Sequence, residues 1–91
     1  MKKNLSKKTI KLSSPDGIQR SEEVERRINE SLALCFSDKA GEYALQYLRS
    51  ISIERVMGPG LDANSLIHME GQRFIVGIIE QRLKLAKENQ P

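Results

Sequence analysis

From residue 22 onward, apolar residues recur at helical spacing through most of the chain. Val24, Ile28, Leu32 and Cys35 follow one another at four, four and three residues, which places them on one stripe of an amphipathic helix. The pattern predicts a first helix from about Glu22 to Cys35. Ser21 stands where a side-chain oxygen can accept from the free amides of the first turn, and Glu22, Glu23 and Glu25 sit where the helix dipole favours acids. A second start lies at Ser37 and Asp38 and predicts a helix to about Met57. Ala40, Ala44, Tyr47, Leu48, Ile51 and Arg55 share one side of it, while Leu45, Ile53 and Val56 widen the apolar coverage. Two contact faces are therefore expected.

Gly58-Pro59-Gly60 ends that helix, because proline cannot continue the hydrogen-bond ladder and glycine accepts the left-handed conformation common past a helix end. Asp62 or Asn64 can cap a third helix, from about Ala63 to Lys87, with Leu66, Ile67, Phe74, Ile75, Ile78, Ile79, Leu83 and Leu85 as its apolar set. Ile75-Val76 and Ile78-Ile79 also suit a strand, but segment length and the surrounding Glu, Gln, Arg and Lys favour helix. The expected fold class is all-α: a small helical hairpin of about residues 38–57 and 63–87, an additional N-terminal helix, and a flexible basic N-terminal arm. The arm is assigned to residues 1–20 and the helical domain to 21–91, with the turn-forming Ser13-Ser14-Pro15-Asp16-Gly17 as the linker.

Charge separates the two parts. Residues 1–20 carry +5 and the remainder −2. Lys2, Lys3, Lys7, Lys8 and Lys11 are candidates for contact with phosphates or an acidic protein surface, and nucleic acid is a possible partner through this arm. The equally simple alternative is a solubilising tail. Ninety-one residues with two Phe, two Tyr and no Trp predict one domain with a thin core, and stability borrowed from partners. Cys35 is the single cysteine, so an intrachain disulfide is excluded, and it is expected to be a small buried hydrophobe. No apolar run has the length of a signal peptide or a membrane span. No membrane contact, cofactor or metal is expected.

Gly41, Gly71 and Gly77 fall inside predicted helices, where each costs about 1 kcal/mol relative to alanine. Close packing of helices two and three would offset that cost.

Two blocks carry a family resemblance. Phe36-Ser37-Asp38-Lys39-Ala40-Gly41-Glu42-Tyr43-Ala44-Leu45-Gln46-Tyr47-Leu48 follows the pattern F-S/T-x-x-x-G-x-x-x-L-x-x-L, and His68-Met69-Glu70-Gly71-Gln72-Arg73 follows H-x-E-G-x-R. In this order and separation they resemble a family of small structural domains from tailed phages and prophages, typified by a Bordetella-phage virion protein. The resemblance spans about residues 36–83. It implies a minor, non-enzymatic protein of head or head-to-tail assembly, found in the virion and, during assembly, in the host cytoplasm. Its implied partners are portal, connector or capsid proteins and further copies of itself. Phe36, Gly41, Leu45, Leu48, Glu70, Gly71 and Arg73 are the matched positions expected to be structural or interacting. The arm and the first helix lie outside the match.

The polar residues of the second block do not form a catalytic set. Glu70 and Arg73 are neighbours on a helix, as are His68 and Gln72, but no second carboxylate, nucleophile or phosphate loop accompanies them. No catalytic residue is assigned. Glu70 is expected to reach across the hairpin to Arg49, Arg55 or the amides near Phe36 to Asp38, or else to form an exposed ion pair. His68 has no second histidine or cysteine at ligand spacing. Tyr43 and Tyr47 are expected to pack on the neighbouring helix rather than stack on bases.

Overall fold

The computed structural model describes residues 14–88, and Lys2, Lys3, Lys7, Lys8 and Lys11 lie outside the described residues. Three helices follow one another: α1 (Glu22–Cys35), α2 (Lys39–Ser50) and α3 (Ala63–Glu88). No strand occurs among the described residues, so the all-α expectation holds. The β-branched cluster of residues 75–79 is helical.

Each helix start is fixed by one side chain. Ser21 Oγ accepts from the Val24 amide at 3.2 Å, Asp38 Oδ1 from the Gly41 amide at 2.7 Å, and Asp62 Oδ1 from the Ser65 amide at 2.7 Å. Asp62 is thus the cap of α3, not Asn64.

The second helix stops at Ser50, seven residues before the expected Met57. Hydroxyls compete for its last carbonyls. Ser50 Oγ donates to the Tyr47 carbonyl and Ser52 Oγ to that of Leu48, each at 2.6 Å, which tightens the chain into the turns of residues 51–54. Gly60, with φ +92°, then supplies the left-handed residue in the loop to α3.

α3 is the spine of the molecule. It packs chiefly against α1 and more sparingly against α2, so the hairpin of α2 and α3 exists but is the lesser contact. The core between them is small. Met69, Val76 and Ala86 are its buried apolar residues, and Asn29, Ser52 and Arg82 are buried beside them. The radius of gyration is 16.1 Å and the extents are 54 × 33 × 15 Å, against about 12 Å for a compact domain of this length. The described residues form a flat, elongated slab in which most apolar side chains keep contact with water.

The buried stripes are rotated from those the apolar pattern predicts. On α1 the inner positions are Glu25, Ile28, Asn29, Leu32 and Phe36, whereas Val24 and Cys35 are exposed. Cys35 is therefore not a buried hydrophobe. The cause is polar: Glu25 and Asn29 are drawn inward by Arg82. On α2 and the turn that follows it the inner positions are Gly41, Leu45, Leu48 and Ser52, and the side bearing Ala40, Ala44, Tyr47 and Ile51 faces out. One of its two expected contact faces is used within the chain.

Candidate interaction surface

The segment before α1 is anchored by charge. Ser14 to Gly17 form a turn closed by the Gly17 amide on the Ser14 carbonyl at 3.0 Å. Asp16 then joins Arg20 and the buried Arg82, at 2.9 and 3.2 Å. Glu25 joins the same two arginines, at 2.9 Å to Arg20 and 2.5 Å to Arg82, and Arg82 also donates to Asn29 Oδ1 at 3.0 Å. Two arginines and two carboxylates thus close a neutral network. Arg82 is only 1% exposed, and two carboxylates and an amide oxygen meet its fork.

The arginines hold both acids ionised. The Asp16 carboxyl lies well below the usual carboxylate range, first through Arg20 and then through the Ile18 amide. Burial works against ionisation of Glu25, but the hydrogen bonds from Arg82 and Arg20 outweigh it and lower its pKa. Residues 14–20 therefore belong to the folded body, which moves the body's start ahead of the expected boundary at residue 21. Composition alone did not mark this network. The usable signal was Asn29 on the side of α1 that also carries Ile28 and Leu32, and Arg82 amid the apolar positions of α3: polar residues inside an apolar stripe.

A second polar clamp joins α2 to α3. Arg73 Nε donates to the Ser52 carbonyl at 3.1 Å and its Nη2 to the Arg55 carbonyl at 2.5 Å, so carbonyls just beyond α2 find their partner on α3. Arg49 pairs with Glu80 across the same junction and with Glu54 at 3.1 Å, and Glu80, then Glu54, raise its pKa. Glu70 takes no part in the crossing. Its carboxylate pairs with Arg73 of its own helix at 3.3 Å and is largely exposed. The expected fastening of the two blocks is made by Arg73 instead, whose longer fork reaches the open carbonyls.

The other matched positions divide. Gly41 is buried, and a Cβ there would collide with the Cys35 carbonyl and lie 2.7 Å from Phe36 Cα. Its close approach is thus to the end of α1, not to α3. Phe36, Leu45 and Leu48 are half-buried. Gly71 and Gly77 have nothing within 4 Å of a Cβ position, so neither serves helix packing inside the chain.

What the fold leaves uncovered is apolar. Tyr43 and Tyr47, expected on a neighbouring helix, are 74% and 59% exposed on the outer side of α2, with Ile51 below them. On α3, Ile67, Phe74 and Ile75 are also exposed. A groove lined by Leu48, Ile51, His68, Gly71 and Ile75 runs between the two sets. Such a surface can bury side chains of another protein; it presents no convergent acid, base and nucleophile. No helix among the described residues is long and apolar enough to cross a membrane, and no three His, Cys, Asp or Glu among them cluster as metal ligands. The chain matches no protein-family model, no curated protein and no solved structure.

Proposed function

We propose that this chain is a minor, non-enzymatic structural or assembly protein of a tailed-phage particle, binding other virion proteins at the head or the head-to-tail connection. The observation that carries the reading is the imbalance between a core with three buried apolar residues and the exposed row of Tyr43, Tyr47 and Ile51. Tyrosine is among the residues enriched in binding hot spots, since its ring contributes area at low entropic cost. The resemblance of residues 36–83 to phage structural domains supplies the context. The partner is a portal, connector or capsid protein whose apolar pocket receives the tyrosines.

Mass spectrometry of purified particles tests this directly. The chain is expected in intact virions, and a Tyr43→Ala/Tyr47→Ala variant is expected to fold and to be depleted from them. Absence of the unaltered chain from the particles overturns the reading.

The Lys-rich beginning of the sequence favours a second reading, a DNA-packaging accessory protein. Because residues 14–20 are tied to Arg82, the discriminating deletion is residues 1–13. Loss of DNA binding with a salt slope approaching about −4.5, as five phosphate contacts would give, together with unchanged particle incorporation, would favour it.

A further inference from the structure

Gly71, Phe74, Ile78 and Gln81 of α3 border an open groove whose remaining wall includes Pro15, from the segment ahead of α1. Its volume is about 850 Å³, room for several side chains. Phe74 is 57% exposed there, and at Gly71 nothing among the described residues lies within 4 Å of where a Cβ would stand. The place of Pro15 matters most. One residue further on, Asp16 is held at 3.2 Å by Arg82, the neighbour of Gln81 in sequence. The thirteen residues that precede Ser14 therefore join the body at the Gln81 end of this groove.

We propose that the occupant of the groove is the chain's own N-terminal segment, residues 10–13 running back from Pro15 along α3 with Ile10 and Leu12 against Phe74, Ile78 and the bare backbone of Gly71. The lengths agree. Ten residues of α3 separate Gln81 from Gly71, a rise of about 15 Å, and five extended residues from Pro15 back to Ile10 span about 16 Å. Alternation agrees as well: in an extended segment Ile10 and Leu12 point to one side, and Lys11 points to the other, into water. Glycine at position 71 costs α3 some helix stability, and in return the helix backbone is open to the close approach of another chain segment.

Charge favours the same occupant. Residues 1–13 hold five of the fifteen Lys and Arg and none of the twelve acids, so they carry +5 and meet a remainder of −2. The tether removes the need for a large interface. A segment joined at Pro15 is present at a high effective concentration, so two apolar side chains suffice where a separate partner would need a far wider contact. Tyr43, Tyr47 and Ile51 lie on α2 and stay free, so the docked segment does not rest on the virion reading, and either can fail alone.

Nuclear Overhauser effects in the purified full chain test the proposal. The methyl groups of Ile10 and Leu12 are expected to show contacts with the Phe74 ring that persist on dilution and are absent between chains in a mixture of labelled and unlabelled protein. Ile10→Ser/Leu12→Ser, which alters no residue of the helices, is expected to abolish them and leave the helical circular dichroism unchanged. Gly71→Leu and Phe74→Asp leave the segment's own sequence intact, and in both trypsin is expected to cleave after Lys11 at least about threefold faster than in the unaltered chain, because cleavage follows the population of the undocked form. Absence of the contacts in the unaltered chain, contacts found only between different chains, or equal cleavage rates in all three proteins overturns the proposal. Contacts between different chains would assign the groove to the segment of a second copy.

Discussion

Arg82 of α3 donates to Glu25 of α1 at 2.5 Å, across 57 residues of sequence, and this contact ties the first turn of α1 to α3. Both helices surrender apolar positions to it. Arg82 takes a buried site on α3, and Glu25 and Asn29 turn the inner face of α1 away from Val24 and Cys35. A chain with so little apolar burial gains its register here from hydrogen-bonded charge, which has few alternative ways to be satisfied.

Arg82→Met should therefore be costly despite its added apolar volume. It would remove the buried one of the two counter-ions shared by Asp16 and Glu25 and leave them Arg20 alone. A loss of about 3 kcal/mol is expected, the lower end of the range for breaking a buried pair, because both carboxylates retain some access to water. Urea unfolding measures it. A double-mutant cycle with Glu25→Gln should give a coupling of about 1 kcal/mol or more, and additive effects would show that the pair contributes nothing as a pair.

The same network sets an acid limit. The pKa values of Asp16 and Glu25 are lower in the folded chain than the ordinary values of about 4 expected when unfolded. Protons therefore bind the unfolded chain more readily in this range. The stabilisation is complete above about pH 5, and is lost as pH falls through the folded-state values. The urea midpoint should be flat through neutral pH and drop below about pH 4. Arg82→Met should flatten that drop, and an unchanged acid limb would assign acid sensitivity to other groups.

Two glycines should respond with opposite signs. Gly41→Ala drives a methyl group into the Cys35 carbonyl and toward Phe36 Cα, both backbone atoms that cannot step aside. A destabilisation of about 1–3 kcal/mol is expected. Gly77→Ala meets nothing within 4 Å and should stabilise by about 0.5–1 kcal/mol through helix propensity alone. Thermal melts of the two variants at one concentration decide the matter, and a shared sign would contradict the packing at the α1–α2 corner.

Helix identity was legible in the sequence because spacing and caps agree: Ser21, Asp38 and Asp62 each stand at a predicted start and bond the expected amide. The end of α2 was not, since the apolar pattern continues through Ile53 and Val56 while Ser50 and Ser52 draw the backbone into turns. Facing was the harder problem. Apolar periodicity assumes that the inner stripe is apolar, and here Glu25, Asn29, Ser52 and Arg82 occupy inner positions. Of the matched blocks, Gly41 and Arg73 prove to make structural contacts that a pattern can suggest, while Glu70 differs because its nearest cation lies on its own helix.

Arg73 yields the last test. Its guanidinium bridges two carbonyls, Ser52 and Arg55, while Glu70 only accepts its remaining edge. Arg73→Lys keeps the charge but not the fork, so it should fail to restore what Arg73→Ala removes, about 1–2 kcal/mol. Hydrogen exchange should quicken at residues 51–56 in both variants, while the α1 amides change little. Glu70→Ala, which breaks a solvent-exposed pair, should cost about 0–1 kcal/mol and leave that exchange unaltered. Full protection of residues 51–56 in Arg73→Lys would mean that any cation suffices and that the two carbonyl bonds do not hold the turn.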